Sequence, residues 1–218
     1  MITKLLIALN VLAFIYEILI GGPGVLQGQI TERALLALGA LRPVDVTVNH
    51  EYWRILSSAF LHANLLHIGV NMFSLYWLGR FIESAMGSVR MAVLYAVSLV
   101  VSGFGVVYFS DPLVPTLGAS GAIYGLFGAL FAIGLKYGRP GMELIKANLG
   151  ILVINLVFTF ASPLISKSAH VAGLIAGFAF TLLIFSPPKP VRTRVVDSAT
   201  GTVYESELED ARPSRPRA

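Results

Sequence analysis

The run MAVLYAVSLVVSGFGVVYF, residues 91–109, is nineteen residues long and contains no charged residue. A helix of about 20 mostly apolar residues crosses the hydrocarbon layer of a bilayer, so this run reads as a membrane span. Five further stretches follow the same pattern, at about residues 5–20, 65–82, 120–135, 145–160 and 170–185. The whole composition agrees, with 56% hydrophobic and 13% charged residues among 218. A soluble domain carries about 25% charged residues, and this chain has too little polar surface to coat a globule in water. The fold class expected is an all-α membrane protein, a bundle of six transmembrane helices. The first stretch contains Asn10 and Glu17, and no Ala-x-Ala cleavage site follows it. It is therefore read as a retained helix and not as a signal peptide.

Charge fixes the orientation. With the N-terminus placed inside, twelve of the sixteen Lys and Arg residues fall on inside segments, and only Arg33, Arg42, Arg54 and Lys167 lie outside. Cytoplasmic loops carry the excess of Lys and Arg, so both termini are expected in the cytoplasm. Residues 1–186 form the membrane domain, and within them residues 21–53 form a long outer loop, partly amphipathic, that lies against the membrane. Residues 187–218, charged and proline-containing, read as a disordered cytoplasmic tail. The absence of cysteine excludes a disulfide framework, a thiolate metal site and a cysteine nucleophile. The net charge of +4 is accounted for by topology, and no nucleic-acid partner is expected.

Polar side chains inside spans are expensive and are functional candidates by default. His67 and Asn71 sit four apart and share one face of the second span. Ser120 opens the fourth span, in Gly118-Ala119-Ser120-Gly121-Ala122-Ile123-Tyr124-Gly125, and His170 opens the sixth. Spans two, four and six all run from outside to inside, so these groups meet at one depth beneath the outer surface. Gly121, Gly125 and Gly128 on span four, with Gly173 and Gly177 on span six, supply the small-residue spacing that lets membrane helices approach closely. Such packing brings Ser120 within reach of His170.

A serine hydroxyl becomes a competent nucleophile when a neighbouring base takes its proton, and neutral histidine suits that task. Asn71, His67 and the backbone N–H of Ser120 are candidate donors to an oxyanion. Glu17 and Asp111 are poorly placed as a third acid, so a Ser–His dyad is the expected arrangement. The elbow of soluble α/β-hydrolases needs a second glycine two places after the serine, where Ala122 stands.

The chain resembles the rhomboid family of intramembrane serine proteases. The resemblance rests on Trp53-Arg54, on His62 followed by His67-x-x-x-Asn71, and on Gly118-Ala119-Ser120-Gly121 with Tyr124. It rests also on His170-x-x-Gly173-x-x-x-Gly177 and on Glu83 with Gly87. It covers about residues 1–186. The resemblance implies Ser120 as nucleophile, His170 as general base, an oxyanion hole including His67 and Asn71, and Tyr124 packed against the base. It implies cleavage of single-pass transmembrane substrates near the outer end of their helices, within the lipid bilayer, with no cofactor and no metal. With no seventh span, the basic six-helix form is expected, in a prokaryotic plasma membrane with the site opening outward. His62 is expected to support the geometry and not to react. Trp53 is expected as an interfacial anchor, Arg54 as a tie for the outer loop, and Asn10 and Glu17 as interhelical hydrogen-bonding groups. Two other functions share these features: a non-proteolytic membrane chaperone of the same fold, and a small transporter.

Overall fold

The computed structural model describes residues 1–188, 191–196 and 203–208. The chain divides into two units, Met1–Phe185 and Ser186–Ala218. In the first unit α1 (Ile2–Gly21) is followed by three short helices, α2 (Glu32–Leu38), α3 (Pro43–Thr47) and α4 (Arg54–Ser57). Five long helices complete it: α5 (Leu65–Met86), α6 (Ser88–Phe109), α7 (Ser120–Lys136), α8 (Arg139–Ala161) and α9 (Lys167–Ile184). By length and composition α1, α6, α8 and α9 can cross a membrane, and α7 is apolar but shorter, at 17 residues. α5 falls outside that group because it carries His67, Asn71, Arg80 and Glu83. The protein is an integral membrane protein.

Two helices start earlier than their apolar runs. α8 begins at Arg139, not near residue 145, because Pro140 is tolerated in a first turn whose amides need no helical acceptor. α9 begins at Lys167, ahead of His170, because Ser166 caps it, its hydroxyl accepting from the Ala169 amide.

α7 is the centre of the bundle. Thirteen of its 17 residues are buried, and it touches α5, α6, α8 and α9. A helix apolar on every face belongs in such a position. Its closest neighbour is α9, and glycine makes that approach possible. A Cβ built on Gly173 would collide with the Gly121 carbonyl, and one on Gly177 with the Gly125 carbonyl. Ser102 and Ser98 of α6 also press against Gly121 and Gly125. α8, in contrast, buries only Gly141, Asn148, Leu152 and Thr159.

Buried charge organises the rest. Glu83, near the end of α5, accepts hydrogen bonds from the Ile2 and Thr3 amides at 2.7 and 3.1 Å and from the Thr3 hydroxyl at 2.6 Å. The Ser88 hydroxyl donates to it as well. A carboxylate thus satisfies orphan amides at the positive end of α1. Glu17 accepts from the His62 amide at 3.0 Å and so anchors the segment that enters α5. Asn10 donates to the Leu6 carbonyl of its own helix at 2.8 Å.

The segment between α1 and α5 is tied down by Arg54, whose Nη1 donates to the Leu36 and Ala40 carbonyls at 2.7 and 3.0 Å. Its Nε donates to Glu51, and its guanidinium lies 4.6 Å from the centre of the half-exposed Trp53 ring. Asp45 is buried beside Arg42, whose guanidinium donates two hydrogen bonds to it. That bond, with the charges of Arg42 and Arg54, holds the Asp45 carboxyl below its ordinary value of 3.8 against the opposing effect of burial.

In the second unit β1 (Val191–Val196) pairs antiparallel with β2 (Val203–Leu208). The register sets Val191 opposite Leu208 and Val196 opposite Val203. Residues 189–190, 197–202 and 209–218 of that tail lie outside the described residues.

Candidate active site

Three helix starts build the site. Asn64 caps α5, its side-chain oxygen accepting from the His67 amide at 2.8 Å, which fixes His67 in the first turn and Asn71 one turn later. Ala119 precedes α7, so Ser120 is its first residue, where backbone amides have no helical acceptor. Ser166 caps α9 and sets His170 in its first turn.

The segment leading to Ser120 is pinned on both sides. Leu41 and Thr116 exchange backbone hydrogen bonds of 2.9 and 2.8 Å, and the Gly118 amide donates to the Ser58 carbonyl at 2.8 Å. Gly118 has φ +125°, and a Cβ there would stand 2.9 Å from Cε1 and 3.0 Å from Nε2 of His67. Only glycine lets the chain turn here against the imidazole face. The same hypothetical Cβ lies 3.7 Å from Ser120 Oγ, so His67 and the serine hydroxyl flank Gly118 together.

Ser120 Oγ and His170 Nε2 are 2.7 Å apart, although fifty residues separate them in the chain. His170 is buried at 6% exposure, and Ser120 is half-buried. The Tyr124 ring stacks on the imidazole, with centroids 4.0 Å apart and planes 16° from parallel. Gly173 and Gly177 continue the face of α9 that carries His170, and Gly121 the face of α7 beside Ser120.

Across the site, the Ala63 amide donates to His67 Nδ1 at 3.3 Å. This leaves the proton on Nε2, the atom beside Gly118. The buried side-chain nitrogen of Asn71 has no hydrogen-bond partner among the described residues. An unpaired buried donor is expensive to keep and is well suited to a negative charge that forms only during a reaction. His62 is fully buried, with Nδ1 3.2 Å from the Phe60 carbonyl and its ring 5.1 Å from that of His67. Burial, then the neighbouring His67, holds its ring well below the ordinary histidine range, so it stays neutral. It buttresses His67 and does not touch Ser120 or His170.

One residue at this site escaped the sequence reading. Thr159 of α8 is 1% exposed, and its Oγ1 lies 2.8 Å from His170 Nδ1 and 2.7 Å from Tyr124 Oη. It also donates to the Asn155 carbonyl one turn back, at 2.8 Å. A threonine bonding to its own helix in an apolar run carries no signal in sequence. Asn64 was not read either, although a polar residue just ahead of an apolar run is a cap signal.

Residues 49–187 match the family model described as Rhomboid domain. Over 177 residues the chain is 34% identical to rhomboid protease GluP of Bacillus subtilis, covering 81% of this chain and 33% of that protein. It is 33% identical over 147 residues to rhomboid protease GlpG of Klebsiella pneumoniae, covering 65% and 51% respectively. It is also 31% identical over 174 residues to inactive RHOMBOID-like protein 8 of Arabidopsis thaliana, covering 78% and 48%. The chain thus spans from a third to about half of the length of these relatives.

Proposed function

The chain belongs to the rhomboid family, and on that premise we propose that it is an intramembrane serine endopeptidase in which Ser120 and His170 form the catalytic dyad. The observation that carries this reading is the 2.7 Å contact between Ser120 Oγ and His170 Nε2 at the start of two helices. In the proposed reaction the Ser120 hydroxyl adds to a peptide carbonyl and His170 Nε2 takes its proton. The oxyanion is met by Nε2–H of His67, the free amide of Asn71 and the backbone N–H of Ser120. Each such donor contributes roughly 100- to 1,000-fold in rate. The imidazolium then returns its proton to the leaving amine, and water releases the acyl group by the same path in reverse.

The substrates are single-pass transmembrane proteins, cut near the outer end of their helices. Six spans place both termini in the cytoplasm and the site towards the outer face of a prokaryotic plasma membrane. The positive-inside distribution of Lys and Arg supports this orientation. Residues 1–186 act as the membrane domain and residues 187–218 as a cytoplasmic extension. A non-proteolytic role has one observation in its favour, a relative whose name calls it inactive. The test is incubation of purified protein with a labelled single-pass substrate, the cut being located by mass spectrometry. One cut in the outer part of the helix is expected, and no cut in a panel of such substrates would favour the non-proteolytic role.

A further inference from the structure

Thr159 is not needed to define a dyad, yet it is the only α8 residue whose side chain touches both His170 and Tyr124 among the described hydrogen bonds. Building on the reading of Ser120 and His170 as a dyad, we infer that Thr159 is a positioning residue that fixes the tautomer and plane of the His170 ring. It stands where a carboxylate completes a triad.

A threonine hydroxyl has one proton and two acceptor positions. Thr159 Oγ1 has three neighbours: the Asn155 carbonyl at 2.8 Å, His170 Nδ1 at 2.8 Å and Tyr124 Oη at 2.7 Å. A carbonyl only accepts, so the Thr159 proton goes to Asn155. The two remaining positions must then receive donors, Nδ1–H of His170 and O–H of Tyr124. Every group is used once and none is left over. The neutral ring carries its proton on Nδ1 and turns the Nε2 lone pair towards Ser120.

The reverse wiring fails. If Thr159 donated to Nδ1, no proton would stand in its 2.8 Å contact with the Asn155 carbonyl, and two acceptor oxygens would face each other. Nε2 would also carry the proton and could not accept one from Ser120. The stacked Tyr124 ring cannot choose between tautomers, since it meets the face of the imidazole and not its edge. Selection therefore falls to Thr159. Because it is neutral, Thr159 orients the base without offering a negative charge to the imidazolium.

The test uses full-length protein in detergent with 15N-labelled histidine. The sequence has four histidines, so the spectrum is small, and His170 is assigned by its loss in His170→Ala. In wild type, neutral His170 is expected to show a protonated Nδ1 and a bare Nε2. Thr159→Val, of nearly the same shape, should mix the tautomers and lower kcat about tenfold, the size of one buried neutral hydrogen bond, with KM unchanged. Thr159→Ser should restore both the spectrum and most of kcat.

A wild-type His170 protonated on Nε2 overturns the inference whether or not the variant folds. So does Thr159→Val with wild-type kcat and an unchanged spectrum. The dyad reading is judged separately, since it fails if Ser120→Ala cuts substrate as fast as wild type.

Discussion

Replacing Gly173 by alanine adds a single methyl group, and the structure places it where nothing can yield. The new Cβ would meet the carbonyl oxygen, carbon and Cα of Gly121, all backbone. No rotamer relieves a clash between two helix backbones, so α7 and α9 must part by roughly 1 Å to restore ordinary van der Waals distance. Gly121 follows Ser120 directly, and Gly173 lies one turn after His170. The same separation would stretch the 2.7 Å contact between Ser120 and His170 past hydrogen-bonding range. Overpacking of this kind costs about 1–3 kcal/mol of stability. A misplacement of about 1 Å at reacting groups costs on the order of 100-fold in rate, so activity should fall much further than stability. The assay pairs initial cleavage rates with thermal unfolding of the same detergent preparation. Gly150→Ala is the control, because a Cβ there meets nothing within 4 Å. It should leave cleavage unchanged and raise stability by up to about 1 kcal/mol through helix propensity. A Gly173→Ala protein with wild-type rate and wild-type melting would refute the reasoning.

Two further outcomes follow from the buried carboxylates. Glu83→Ala strands the Ile2 and Thr3 amides at the start of α1 and should destabilise the fold by about 2–4 kcal/mol, read as a lower unfolding midpoint. Cleavage per folded molecule should survive it, since Glu83 touches no residue of the site. Asp45 has a carboxyl held below its ordinary value of 3.8, chiefly by its hydrogen bond from Arg42. A lowered folded-state value gives stability that is present above the unfolded value and is lost as pH falls through the folded one. The segment between α1 and α5 should therefore loosen below about pH 4, seen as faster proteolysis of residues 31–53. Asp45→Asn should remove that dependence, and an identical acid profile in wild type and variant would count against it.

Much of the fold was legible because a bilayer imposes strict rules. Apolar runs gave the long helices, and glycine spacing on the fourth and sixth runs marked the faces that meet. The level of Ser120, His170, His67 and Asn71 followed from the direction of alternate spans. Helix ends were less legible. Pro140 lets α8 start two turns before its apolar run, and Ser166 draws α9 forward to Lys167.

Thr159 was invisible for a different reason. α8 is apolar on most of its surface, so its pattern does not say which face turns inward, and its partners lie eleven and thirty-five residues away. Glu83 posed the same difficulty, with Thr3 eighty residues distant.

Whether Ser120 and His170 act as one unit is read from a double-mutant cycle. Cleavage of a labelled transmembrane substrate is measured for wild type, Ser120→Ala, His170→Ala and the double variant, each checked for folding. Members of a catalytic unit lose activity non-additively, so both single variants should fall to the residual rate and the double variant no further. A single variant that keeps a wild-type rate, or losses that multiply in the double variant, would contradict the account.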